Sequence, residues 1–200
     1  SQTLQNTVPV IIHTSNSENP QCTPPISNFN IESPTAYKQG VDAVGEVFIG
    51  LARQHGWTVE TLKLENAGNP VCITMNPESG EKPLVLSGHI DTVYPVGAFP
   101  TPAVHREEGR IYGPGVIDCK GGVVAAVMAM DTLQQCGFRK RPVKLIIQTD
   151  EETSSMTSGK ETIRFMLEKA RDAVAFLNLE GVQYGTAVLS RKGRKFVRQM

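Results

Sequence analysis

The chain has no C-x-x-C pair, no excess of charge of either sign, no apolar run long enough to span a membrane and no internal repeat. Each absence removes a class of function. The four cysteines, Cys22, Cys72, Cys119 and Cys136, are widely spaced, which argues against a cysteine zinc ribbon or a disulfide-dense scaffold. They point to a reduced, cytoplasmic setting and leave a secreted or periplasmic one open. Twenty basic residues balance twenty acidic ones, so no general affinity for nucleic acid or an anionic membrane is implied. The opening "SQTLQNTVPVIIHTSNSENP" lacks a basic n-region, and its apolar core is too short for a signal peptide. It also lacks an initiator methionine, so a removed leader stays open. Walker A, G-x-G-x-x-G and G-x-S-x-G patterns are missing, which disfavours a phosphate cradle and a serine hydrolase. The basic cluster "RKGRKFVR" near the C-terminus has too few aromatics for a nucleic-acid site and reads as a solvated strand lead-in.

What is present is an alternation of helical and strand patterns. Residues 1–30 are polar and broken by Pro20, Pro24 and Pro25, an extended lead-in or arm. The stretch "SPTAYKQGVDAVGEVFIGLARQHG" predicts a helix with Val41, Val44, Phe48 and Leu51 on one face and Gly56 closing it. Three β-like runs follow, "TVETLKL", "PVCITMN" and "PLVLSG", and "AVHREEGRIYG" reads as a hairpin turning near Gly109. After "GPGVIDCKGG" the helix "VVAAVMAMDTLQQCG" is apolar nearly all round, which predicts burial against a sheet. "PVKLIIQT" and "AVAFLNLE" read as strands flanking a helix that starts near Ser158. The expected fold class is α/β, a mixed and largely parallel sheet flanked by helices. His13, His55 and His105 read as surface residues, and the sulfur atoms of "PVCITMN" and "AAVMAM" as core filling.

The polar residues sit where the strands end. His89 follows "PLVLSG", Glu151 and Glu152 follow "PVKLIIQT", Glu180 ends "AVAFLNL", and Asp118 lies in the glycine-rich turn before the apolar helix. In open α/β sheets the C-terminal strand ends share one crevice, where ligands bind. A strand-end histidine alone is usually a loop residue, and "DEE" alone a solvated turn; their convergence is the signal. One imidazole with several carboxylates and no thiolate suits zinc or another divalent transition metal, cobalt and manganese included. So many carboxylates would repel one another unless cations neutralised them. Two metals about 3.5–4 Å apart would relieve that repulsion and supply a hydrolytic nucleophile.

The segments "SGHIDTVYP", "GRIYGPGVIDCKGG", "QTDEETSS" and "LNLEG" resemble, in order and spacing, the di-zinc metallopeptidases and amidohydrolases. That family includes the carboxypeptidase G type glutamate carboxypeptidases, aminoacylases, acetylornithine deacetylase and succinyl-diaminopimelate desuccinylase. The likeness runs from about Ile31 to the end of the chain. It implies that residues 31–190 are the N-terminal part of a di-zinc catalytic domain. It further implies that His89 and Glu180 bind the first zinc, Glu152 the second, and that Asp118 bridges both. Asp91 would hold the imidazole, and Glu151 would be the general base. A cis peptide after Asp118 is implied as well, with Cys119 a structural neighbour and not a nucleophile.

The activity so implied is zinc-dependent hydrolysis of an amide bond in a small peptide or N-acyl amino acid. Glu180 and the wording of the first two motifs are closest to a carboxypeptidase releasing a C-terminal amino acid such as glutamate. The alternatives are an N-acyl amino acid deacylase and a non-catalytic metal-binding or interaction domain on a decayed peptidase fold. Relatives in the family continue into a lid and dimerisation domain and a late zinc-binding histidine. Residues 191–200 would begin the connection to that lid, and the whole protein could form a homodimer through it. The 200-residue stretch on its own is expected to be impaired.

Overall fold

Strands with apolar residues on both faces are covered on both sides, and they form the middle of the sheet. The computed structural model describes residues 30–107 and 110–181. The lead-in, His13, Cys22, the expected turn at Gly109 and the basic C-terminal cluster lie outside the described residues. The order is α1 (Lys38–Gln54), β1 (Thr58–Thr61), β2 (Val71–Met75), β3 (Leu84–His89), β4 (His105–Glu107) and β5 (Arg110–Tyr112), followed by α2 (Gly121–Gln135), β6 (Val143–Gln148), α3 (Glu161–Lys169) and β7 (Ala175–Asn178).

The five-stranded sheet runs β1-β2-β6-β3-β7, and β4 and β5 form a separate antiparallel pair. β3 pairs in parallel with both β6 and β7, whereas β2 is antiparallel to β6 and to β1. Only β2 is reversed, so the expected mixed and largely parallel sheet is what forms. Alternating side chains divide between two layers, as the period of a strand requires. Val71, Ile73 and Met75 of β2, with Val143, Leu145 and Ile147 of β6, meet α1 and α2 on one face. Cys72, Val85 and Ile146 meet Phe165 and Met166 of α3 on the other.

α1 buries Val41, Val44 and Phe48, with Leu51 half-buried, and Gly56 at φ +73° ends its turn. Burial of each such side chain is worth about 1.5–3 kcal/mol. Met75 and Met130 fill the core as expected. α2 is buried against the sheet, as expected, along Gly121, Val123, Val124, Ala126, Val127 and Met130, while Ala125 and Ala129 face solvent. Alanine on an exposed helix face reflects helix propensity and mimics an apolar face. α3 begins at Glu161, not near Ser158, because Gly159 (φ +62°) and Lys160 (φ +75°) are left-handed and cannot be helical.

Two glycines bring the site's elements together. A side chain at Gly88 would meet Val123 Cγ2 at 2.9 Å, so α2 can cross the end of β3 only over a glycine. At Gly122 a Cβ would lie 2.1 Å from the Leu179 carbonyl oxygen, next to Glu180. The substitution Gly122→Ala is therefore expected to destabilise the protein by about 1–3 kcal/mol, read as a lowered urea midpoint. Unchanged stability would show that the Leu179–Glu180 backbone can retreat freely.

Candidate metal centre

β3 and β6 are parallel and in register, with His89 opposite Gln148, so both deliver their next residues to the same edge. From β3 come His89 and Asp91; from β6, the turn holding Glu151 and Glu152. β7 continues to Glu180 while the Leu179 amide donates to the Ser87 carbonyl (2.8 Å). Asp118 enters from the kinked segment before α2, through a cis Asp118–Cys119 peptide, as the resemblance implies.

His89 is buried, and its two ring nitrogens face different partners. Nε2 lies 2.7 Å from Asp118 Oδ1 and 4.0 Å from Glu151 Oε2. Nδ1 lies 3.2 Å from the Asp91 carbonyl oxygen and 3.4 Å from its Oδ1. Asp91 thus faces the ring, with the shorter contact made by its backbone oxygen. Without a metal, Nε2 is placed to donate to Asp118 Oδ1; a metal there would take the place of that proton while Nδ1 keeps its own. Burial by itself would lower the imidazole pKa, but interactions with Asp91 and the Cys119 sulfur outweigh it and push it up to about 12.

Asp91 is fully buried and does more than face the histidine. Its Oδ1 accepts the Glu151 amide (3.1 Å), and its Oδ2 accepts the Glu152 amide (3.2 Å) and the Thr35 hydroxyl (2.7 Å). Asp150, equally buried, accepts the Ser158 amide (2.8 Å) and the Thr162 hydroxyl, which ties the turn to α3. Two buried carboxylates thus grip the turn carrying Glu151 and Glu152. Asp150 was visible in the sequence as the first acid of "DEE"; Thr35 and the buried Lys120 carried no signal. Lys120 Nζ donates to the Ile31 carbonyl (3.0 Å), and burial lowers its pKa to about 8 against the opposing pull of Asp91.

The donor set fits a divalent metal. His89, Asp118 and Glu152 each present a ligand atom, all within 4.8 Å of one another; so do His89, Glu151 and Glu180. These groupings share His89 and differ from the pairing the resemblance implies, in which Glu180 joins His89 and Asp118 and Glu151 is no ligand. Burial, then the Asp118 charge, pushes Glu152 up to about 7, and burial also raises Glu151, with Glu180 among the carboxylates adding to it. Cations would relieve this crowding. Cys119 is buried, with its sulfur accepting the His89 amide (3.0 Å), so it supports β3 and is held away from the donor set.

Between pH 4.5 and about 7, Glu152 of the metal-free protein holds a proton that the unfolded chain has released. Its contribution to stability is therefore full below 4.5 and lost as pH rises through about 7. His89 contributes below 6.5 and loses that contribution as pH approaches about 12. Zinc must displace both protons, so its uptake near neutral pH is expected to release protons and to weaken on acidification below about 7. Calorimetry in buffers of different ionisation enthalpy checks this; uptake without proton release would contradict it.

The other histidines among the described residues, His55 and His105, lie apart from the cluster. His105 is exposed and stacks on Tyr112 (5.1 Å). His55 is half-buried, a correction to its surface reading: it stacks on Trp57 (4.5 Å), and its Nδ1 lies 3.4 Å from Asp131 Oδ1.

The profile of peptidase family M20/M25/M40 matches residues 85–188, the stretch that contributes His89, Asp91, Asp118, Glu151, Glu152 and Glu180. The chain belongs to this family. Carboxypeptidase G2 of Pseudomonas sp. (strain RS-16) is 30% identical over 164 residues, covering 80% of this chain and 38% of that protein. Acetylornithine deacetylase of Myxococcus xanthus is 32% identical over 126 residues, 60% of this chain and 32% of that one. Among solved structures, an M20 family metallo-carboxypeptidase from Sulfolobus solfataricus superposes with a TM-score of 0.63 at 22% identity. It covers 77% of this chain and 36% of that one, a likeness of fold. This M20/M25/M40 chain spans about a third of the length of the curated relatives it matches. No helix among the described residues is long and apolar enough to cross a membrane.

Proposed function

We propose that the whole protein is a zinc-dependent amidohydrolase, acting as a carboxypeptidase that releases a C-terminal amino acid such as glutamate. The observation that carries the reading is the convergence of His89, Asp118, Glu151, Glu152 and Glu180 on one sheet edge, with ligand atoms within 4.8 Å in two groups. In this reading His89, Asp118, Glu152 and Glu180 hold two zinc ions, for which cobalt or manganese could substitute. When bound, the ions supply Lewis acidity and lower the pKa of a water molecule.

The chain's own residues supply the rest. Asp91 fixes the His89 ring through Nδ1 and both glutamates through their amides. Glu151, half-exposed and without a side-chain hydrogen bond among the described residues, takes a proton from the attacking water and passes it to the leaving amide nitrogen. The carbonyl carbon gains the water oxygen, the C–N bond breaks, and the amine departs with the transferred proton. In this reading residues 31–190 are the N-terminal part of the catalytic domain, preceded by the lead-in, and 191–200 lead toward a lid through which the whole protein would dimerise.

Support for the carboxypeptidase reading comes from Glu180 and from the 30% identity to carboxypeptidase G2 over most of this chain. The similarity to acetylornithine deacetylase favours a second reading, removal of the acyl group from an N-acyl amino acid. Assays of the zinc-loaded full protein on a folate-like acyl-glutamate, an N-acetyl and an N-succinyl amino acid decide between them. Faster turnover of the last two would transfer the assignment to deacylation. Zinc binding without hydrolysis of any of them would favour the non-catalytic domain.

A further inference from the structure

The segment Ile31–Thr35, outside every motif that marks the family, is laid against the metal centre. It runs parallel to Ile90–Thr92, bridged at Pro34 and Thr92. The Thr92 amide donates to the Ser33 carbonyl (2.9 Å), and the Thr35 amide to the Thr92 carbonyl (3.2 Å). The Ser33 hydroxyl donates to the Ile90 carbonyl (2.7 Å), and Lys120 Nζ holds the Ile31 carbonyl. These bonds join backbone to backbone or anchor the strap. The Thr35 hydroxyl alone among the strap's groups reaches the carboxylate behind the proposed ligands, at 2.7 Å from Asp91 Oδ2.

We propose that Thr35 is a positioning residue of the metal centre: its hydroxyl sets the rotation of the Asp91 carboxylate, which in turn aligns His89 with Glu151 and Glu152. Asp91 has one carboxylate torsion and must satisfy the His89 ring, two amides and the threonine with it. The amides approach its two oxygens at 3.1 and 3.2 Å, and the threonine contact at 2.7 Å is the shortest of the set. Threonine is β-branched and Thr35 is buried, so its hydroxyl is held in one direction by its own packing. Without that hydroxyl Oδ2 keeps one longer hydrogen bond, and the carboxylate can turn away from Nδ1. A partner behind a ligating histidine usually changes metal affinity about 10–100-fold when removed.

The inference rests on the reading that His89 and Glu152 hold zinc. The test compares Thr35→Val, which keeps shape and loses the hydroxyl, with Thr35→Ser, which keeps the hydroxyl. Ser33→Ala serves as a control that loosens the same strap without touching Asp91. Zinc affinity of the full protein is measured by chelator competition, with melting temperature recorded in parallel. Thr35→Val is expected to bind zinc about 10–100-fold more weakly, with Thr35→Ser and Ser33→Ala close to the parent protein. Parent-like affinity in Thr35→Val, or an equal loss in Ser33→Ala, would overturn the inference. Should Thr35→Val fail to fold, Thr35→Ala carries the same comparison. A parent protein that binds no zinc would instead overturn the reading beneath it.

Discussion

Replacing Glu151 by glutamine in the zinc-loaded full protein is expected to lower turnover about 10²–10⁴-fold and to leave zinc content unchanged. The substitution keeps size and hydrogen-bonding shape and removes the ability to take a proton. Because a base acts mainly in the transition state, kcat and kcat/KM should fall together, with KM little changed. The geometry makes this a demanding test. Glu151 Oε2 is 4.0 Å from His89 Nε2, and Glu151 can be grouped with His89 and Glu180 as easily as Glu152 with His89 and Asp118. If Glu151 is a ligand, glutamine will cost zinc as well as rate, and Glu152 becomes the candidate base. Metal analysis of Glu151→Gln beside Glu152→Gln separates these assignments, since the ligand is the one whose loss lowers the zinc content.

Asp91→Ala should have the largest effect on stability, a loss of about 3–5 kcal/mol in the metal-free protein. The carboxylate is fully buried, and its removal strands the Thr35 hydroxyl and the Glu151 and Glu152 amides together. Each buried donor left without a partner costs about 1–3 kcal/mol. The buried Lys120 cation loses a favourable negative charge at the same time. Asp91→Asn is expected to fall between, because an amide can present oxygen to one side only and must turn N–H groups toward the remaining donors. Urea denaturation of the three proteins without zinc gives the order. A stability for Asp91→Ala equal to the parent would mean that water replaces the carboxylate, and that the turn needs no fixed acceptor.

The large features were legible because periodicity and strand ends are local. The α1 face of Val41, Val44 and Phe48 and the largely apolar β2 and β6 follow from spacing and composition. The approach of His89 to Glu151 follows from parallel strands ending at one edge. What could not be read depends on contacts distant in sequence. Nothing in "ESPT" marks Thr35 as the partner of an aspartate beyond the next helix and three strands. The late start of α3 depends on left-handed Gly159 and Lys160, and a lysine gives no sequence sign of that conformation. His55 reads as a surface residue because Trp57 and Asp131, which pack beside it, are brought there by folding.

The strand order also has a consequence for synthesis of the chain. β3 is flanked by β6 and β7, both made long after it, while the strands made before it, β1 and β2, are separated from it by β6. A ribosome that has released β3 has therefore exposed an apolar strand with two open edges and no partner yet available. Long-range pairing of this kind is slow and leaves sticky intermediates. β6 must insert between two strands already synthesised before β3 and the glutamate turn can meet. Chaperone capture during translation is thus expected to peak while α2 is emerging and to fade once β6 and β7 are available.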